Sequence, residues 1–149
     1  MRRFAMRAVR DDDVARDLTQ DALLVAVASG PTFAGRSTLR TWLLGILSHK
    51  IIDHLHARGA SLEGGEDPEL LSTPSSTDVE RVAMARQELG RVGLALATLP
   101  GRERVAVLLT DVEGVDREEV CRVLGVTPTH LRVLLHRGRN RLRRLCERD

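Results

Sequence analysis

The sequence predicts an all-α fold made of two small helical domains joined by a flexible linker. Three observations predict it. Apolar residues recur at i, i+3, i+4 spacing on either side of the middle of the chain. Capping and stopping residues fall at the ends of those runs. Residues 59–80 alone break the pattern, with six acidic residues, three glycines, two prolines and no basic residue. No segment shows the two-residue alternation of a strand. The expected boundaries are 1–58 for the first domain, 59–77 for the acidic linker and 78–149 for the second domain.

Each element follows from local residues. Val14 to about Ala28 carries apolar positions at helical spacing, and Ser29-Gly30-Pro31 stops it. From Thr38 to Arg58 the residues Leu39, Trp42, Leu43, Ile46, Leu47, Ile51 and Leu55 keep one amphipathic face, with Ser37 or Thr38 as N-cap and Gly59 as the stop. In the second domain Thr77 and Glu80 form a capping box for a helix running to about Ala97. Leu99-Pro100 separates it from the next helix, which Gly114 closes after Glu113. Asp116 with Glu119 opens a short helix holding Val120, Val123 and Leu124, and Gly125 ends it. Thr127 then caps the last helix, with Pro128 in its first turn.

Composition narrows the function. A chain of 149 residues with 42% hydrophobic content fills one ordinary domain or two small ones. Aromatics at 2% leave little to stack bases on and no large aromatic-lined pocket, which makes Trp42 stand out. Cys121 and Cys146 are too few and too scattered for a disulfide framework or a metal knuckle, which fits a reducing compartment. "MRRFAMRAVRDDD" lacks the apolar core of a signal peptide, and no apolar run has membrane length, so the protein is expected in the cytoplasm without membrane contact of its own. Of His49, His54, His56, His130 and His136, only 54 and 56 are close in sequence, and i, i+2 positions on a helix point apart. With no nucleophile–base arrangement and no phosphate-cradling glycine loop, neither catalysis nor a metal or other cofactor is expected.

The positive charge is distinctive. Lys50 is the only lysine, and between Leu131 and Leu145 there are arginines at 132, 137, 139, 141, 143 and 144 and no acidic residue, although the formal net charge is only +2. Arginine usage of this kind suits phosphate and base-edge contacts, and a GC-rich genome produces it equally. A short helix, a tight turn with glycine and a second helix opening on Thr-Pro form a helix-turn-helix pattern. Leu131, Leu135, Gly138 and Leu142 make its inward stripe. Thr129, His130, Arg132 and Val133 occupy the first turns, where a recognition helix meets base edges. His136, Arg137, Arg139, Arg141, Arg143 and Arg144 follow, suited mainly to phosphates.

The segment "LATLPGRERVAVLLTDVEGVDREEVCRVLGVTPTHLRVLLHRGRNRLRRL" resembles region four of the extracytoplasmic-function (ECF) sigma factors of the sigma-70-like family. "DVARDLTQDALL" resembles the region-two segment that holds the RNA polymerase clamp, and "FAGRSTLRTWLLGILSHKIIDHLHAR" the promoter-melting helix. These pieces stand in family order and cover most of the chain. The resemblance implies an initiation subunit whose partners are core RNA polymerase, promoter DNA and an anti-sigma factor. It implies polymerase contacts at Asp17, Gln20 and Asp21, which share one helix face. It implies minus-35 contacts at Thr129, His130, Arg132, Val133, His136, Arg137, Arg139 and Arg141. Ser37, Thr38, Arg40, Trp42, His49, Lys50 and His54 lie where the family meets the minus-10 element, and "SGPTFAGRS" where its pocket for an extruded base sits. Trp42 is read first as a core anchor and second as a DNA edge.

Several positions depart from the family. "RRFAMRAVRDD" resembles only the tail of the first region-two helix, which is expected to be largely missing. His49 stands where the family usually has Asn, Cys121 replaces a usual Ala, and Leu134 replaces a frequent basic residue, which would make a more apolar promoter contact or an inhibitor surface. A helix-turn-helix regulator acting without the sigma role is the alternative left open.

Overall fold

Single side chains cap the starts of several helices in this chain. A computed structural model describes residues 1–61 and 79–147. Their regular elements are α1 (Arg2–Val9), α2 (Asp12–Ser29), α3 (Leu39–Ser61), α4 (Val79–Ala97), α5 (Gly101–Val107), α6 (Arg117–Leu124) and α7 (Pro128–Cys146). The Asp11 carboxylate accepts the Val14 N–H at 3.0 Å and caps α2. Of the two expected caps for α3, Thr38 does the work: its hydroxyl accepts the Thr41 N–H at 3.1 Å. Asp116 accepts the Glu118 N–H at 3.0 Å at the start of α6, and Thr127 accepts the His130 N–H at 3.1 Å at the start of α7. Gly125 ends α6 at φ 62°, a left-handed conformation that glycine adopts without strain.

The N-terminal residues, expected as the tail of a shortened first region-two helix, form a two-turn helix, α1, with Phe4, Ala5, Ala8 and Val9 buried. Other boundaries differ from expectation. α3 runs past Gly59 to Ser61. A glycine inside a helix costs only about 1 kcal/mol and does not by itself stop one. The remainder of the expected linker and the Thr77 end of the capping box lie outside the described residues. The helix expected to reach Glu113 changes character after Val107: Leu108–Val112 form a π-helical turn. There the Glu113 N–H bonds the Leu108 carbonyl at 2.9 Å, a wider ring than in an α-helix, and Gly114 at φ 66° turns the chain out.

Apolar faces from both blocks meet in one buried cluster. Phe4, Leu44, Leu47 and Ile51 join Leu99, Leu108, Leu109 and Leu131 there. The inward stripe of α7 is wider than expected: Leu134 is only 6% exposed and packs in the core. Residues 131, 134, 135 and 138 fall at i, i+3, i+4 and i+7, the broad face a helix needs when it covers a core rather than a narrow seam. Leu134 therefore contributes to packing and not to an apolar promoter surface.

Arg104 ties the blocks together from inside. Only 7% exposed, its guanidinium donates to the Ala8 carbonyl at the end of α1, to the Leu99 carbonyl at 3.0 Å, and to the Ala97 carbonyl at the end of α4. These are carbonyls that helix ends leave without intrahelical partners. Burial, helped by nearby Arg58, lowers the Arg104 pKa to about 10, so it remains a cation at neutral pH.

Gly138 is where α7 comes closest to α5. A β-carbon there would lie 2.9 Å from the Val107 side chain and 3.6 Å from the Glu103 carbonyl. Gly138→Val is expected to destabilise the protein by roughly 1–3 kcal/mol through overpacking, read as a lower urea midpoint with an unchanged slope. An unchanged midpoint would show that α7 does not pack on α5 at this distance.

Candidate nucleic-acid interface

The three-residue turn between α6 and α7 sets the orientation of the helix-turn-helix. With Leu131, Leu134, Leu135 and Gly138 turned inward, α7 directs Thr129, His130, Arg132, Val133, His136 and Arg137 to solvent, all of them exposed. Arg132 and Arg137 make no ion pair among the described residues. The other two expected contacts sit on the flanks of the inward stripe and are already engaged. Arg139 forms a two-pronged pair with Asp111 at 2.9 and 2.6 Å, which raises its pKa, and Arg141 donates to Glu103 at 2.9 Å. Because Glu103 is only 5% exposed, Arg141 compensates a buried carboxylate and belongs as much to the fold as to the surface.

Sequence reasoning missed Asn140. It lies one turn beyond His136 on the outward face, with its amide nitrogen 3.0 Å from His136 Nε2. A side-chain amide there has the donor–acceptor pair that suits adenine. Its periodic position is visible in the sequence, but no charge marks it among the surrounding arginines.

The first block gathers the second set less completely. Thr38, Arg40 and His49 are exposed; Ser37, Trp42, Lys50 and His54 are half-buried. Trp42 is no core anchor: it lies outside the buried cluster and packs against Phe33 of the preceding loop, ring centroids 5.1 Å apart and tilted by 46°. Ser37, Thr41, Trp42, Ile46 and His49 line a groove of about 300 Å³ whose far wall is Glu119, Arg122 and Val123 of α6. Gly45 permits this approach: a β-carbon there would stand 3.3 Å from Val123. Arg40 is bonded to Glu113. His54 turns away from such a surface, its Nε2 buried without a partner. Asp17, Gln20 and Asp21 are exposed together on α2, followed by Leu24 and Val27, 69% and 80% exposed.

Comparison with known proteins agrees with this geometry. Residues 1–60 match the sigma-70 region 2 family and residues 89–142 the sigma-70 region 4 family. The ECF RNA polymerase sigma factor SigC of Mycobacterium tuberculosis is 32% identical over 138 residues, covering 91% of this chain and 71% of that protein. The chain belongs to the sigma-70 family, in its ECF branch. Its role is that of an RNA polymerase sigma factor, directing transcription initiation at promoters. The sigma factor RpoE of Bartonella quintana, solved in complex with the anti-sigma factor NepR, superposes with a TM-score of 0.74 at 27% identity over 99% of this chain and 90% of that one. CnrH, solved with the cytosolic domain of CnrY, shares the fold at a TM-score of 0.64 and 22% identity, over 98% and 81% of the two chains.

Within this sigma factor no helix among the described residues is long and apolar enough to cross a membrane, and no cluster of metal-ligating side chains occurs among them. His54 is the α3 residue whose chemistry departs most from expectation. Desolvation first, then the charge of Arg58, lowers its pKa, with Asp11 opposing, so the folded ring takes up a proton less readily than an exposed imidazole does. The unfolded chain takes up a proton near its ordinary value of 6.5, whereas the folded ring resists it to lower pH. Stability from this group is thus complete above that value and is lost as pH falls through the folded pKa. Urea unfolding between about pH 7.5 and 5.5 is expected to show a falling midpoint that His54→Leu flattens. An equal fall in the variant would assign the acid sensitivity elsewhere.

Proposed function

We propose that this sigma factor reads promoter DNA with two helices and binds core RNA polymerase with a third. Thr129, His130, Arg132 and Val133 of α7 enter the major groove of the minus-35 element, with Arg132 forking onto guanine O6 and N7 and Val133 against a thymine methyl. His136 and Arg137, with Arg139 and Arg141 from the flanks, hold phosphates. Ser37, Thr38, Arg40, Trp42, His49 and Lys50 of α3 and its loop meet and melt the minus-10 element, and residues 29–37 receive the extruded base. His54, half-buried, supports α3 from behind. Asp17, Gln20 and Asp21, with Leu24 beside them, form a polar and apolar face for the polymerase clamp. The protein acts in the cytoplasm without catalysis, cofactor or metal, and an anti-sigma factor holds it, as NepR holds RpoE.

The observation that supports this most is the outward face of α7, where six expected contacts are exposed together beyond a side-chain-capped turn. Run-off transcription with purified core polymerase tests it. Initiation that depends on added protein and on a specific upstream sequence is the expected result. A folded protein that never directs initiation, and binds DNA only as a stand-alone regulator, would overturn it.

Individual arginines separate reading from holding. Arg132→Ala is expected to cost about 1–3 kcal/mol on cognate minus-35 DNA and little on scrambled DNA, whereas Arg137→Ala weakens both alike and lowers the salt slope by about one. Arg141→Ala behaves differently again: it leaves Glu103 buried without its partner and lowers stability by roughly 1–3 kcal/mol before any DNA is added. Equal losses on cognate and scrambled DNA for Arg132→Ala would remove it from the reading set.

A further inference from the structure

His136 and Asn140 stand one helical turn apart on α7 and are bonded to each other. His136 is exposed, Asn140 is half-buried, and the Asn140 amide nitrogen lies 3.0 Å from His136 Nε2. An amide nitrogen can only donate, so Nε2 accepts, and the single ring proton of the neutral imidazole sits on Nδ1. Nδ1 has no hydrogen-bond partner among the described residues, which leaves its N–H to donate to another molecule. The neighbours explain why an amide stands at 140. One turn from the ring in either direction are Arg132, Val133, Arg139 and Asn140. Arg139 directs its N–H groups to Asp111 at 2.9 and 2.6 Å, so it is Asn140 that holds the ring. A further arginine at 140 would add sequence-blind charge to a segment that already carries six of them between Leu131 and Leu145. An amide supplies direction without charge.

We infer that Asn140 is a positioning residue for promoter binding: by donating to Nε2 it holds the His136 ring and fixes its proton on Nδ1, where the N–H donates to a phosphate oxygen of the minus-35 element. The inference rests on the reading of α7 as the minus-35 helix and deepens it. A ring without this partner rotates and exchanges its proton between two nitrogens, so only part of its population presents a donor at the right place. In the other tautomer the bare Nδ1 lone pair would face an anion.

Asn140→Leu, Asn140→Gln and His136→Ala in the full-length protein test this. Proton–nitrogen correlation spectroscopy at about pH 8, above the ordinary imidazole value, reads the tautomer, with His136→Ala identifying the signal. The wild type is expected to show the Nδ1–H form, Asn140→Leu the Nε2–H form or exchange between both, and Asn140→Gln, which keeps an amide at the same turn, the Nδ1–H form. On duplex minus-35 DNA, Asn140→Leu is expected to bind about threefold to tenfold more weakly, and Asn140→Gln nearly as tightly as the wild type. Neither substitution removes a charge, so the salt slope stays at its wild-type value, unlike that of Arg137→Ala. In a His136→Ala background, Asn140→Leu costs no further affinity.

Affinity that does not follow the tautomer across these variants would overturn the assignment, as would an Nε2–H ring in the wild type. If Asn140→Leu still weakens binding in the His136→Ala background, Asn140 contacts DNA itself and positions nothing. If Arg132→Ala distinguishes cognate from scrambled DNA while the variants at 136 and 140 bind as wild type, the positioning role fails and the reading of α7 stands. If Arg132→Ala loses equally on both, the reading of its base contact fails, and the coupling between 136 and 140 still decides the positioning role.

Discussion

A single buried guanidinium organises the described structure. Arg104 answers carbonyls at the ends of α1 and α4 and in the turn that leads into α5, so three segments from two blocks are fixed by one planar group. A lysine could not replace it, since one ammonium lacks the fork that reaches diverging carbonyls. Helix ends that would otherwise be buried without partners become part of the core, and the apolar cluster can close over them. At the opposite end of the same segment, beyond the π-helical turn, Glu113 meets Arg7 and Arg40. The segment 101–113 thus holds the first block with a buried cation at its start and a shielded anion at its end. Deep apolar contact gives this contact area, and the two charged groups give it a register.

The last helix divides labour around its circumference. Its inner quarter is core, its flanks are tied to Asp111 and Glu103, and only its outer pole is available to another molecule. That division explains how six arginines in fifteen residues coexist with a stable fold of low net charge. Repulsion along the helix is relieved by acids on neighbouring elements at the margins, while the pole keeps the unshielded charge that attracts a polyanion.

Local features were legible in the sequence because their causes are local. Thr38, Asp116, Gly125, Thr127 and Pro128 act on backbone groups within a few residues, and each does so in the structure where the sequence placed it. The helix-turn-helix and the outward set on α7 followed from such signals with helical periodicity. Features that depend on distant parts of the chain were not legible. Nothing near Glu113 announces Arg7 and Arg40, and nothing near Glu103 announces Arg141, since those pairs exist only once the core has formed. Leu134 has no assignable role in the sequence for a related reason: substituting apolar for basic looks like a change of surface until α7 is seen to cover a core wide enough to need a fourth inward position. Gly59 failed as a stop because a weak local penalty yielded to the surrounding helix.

The near absence of lysine has a regulatory consequence. Guanidinium groups stay protonated across any cellular pH, and they are not substrates for the acylation that neutralises lysine. With Lys50 of α3 as the only lysine, the charge of the DNA-facing helix cannot be tuned by lysine acylation. Its arginine charge is a fixed quantity, offset by what stands opposite it: counter-ions, a partner protein's acids, or the carboxylates that the chain itself carries.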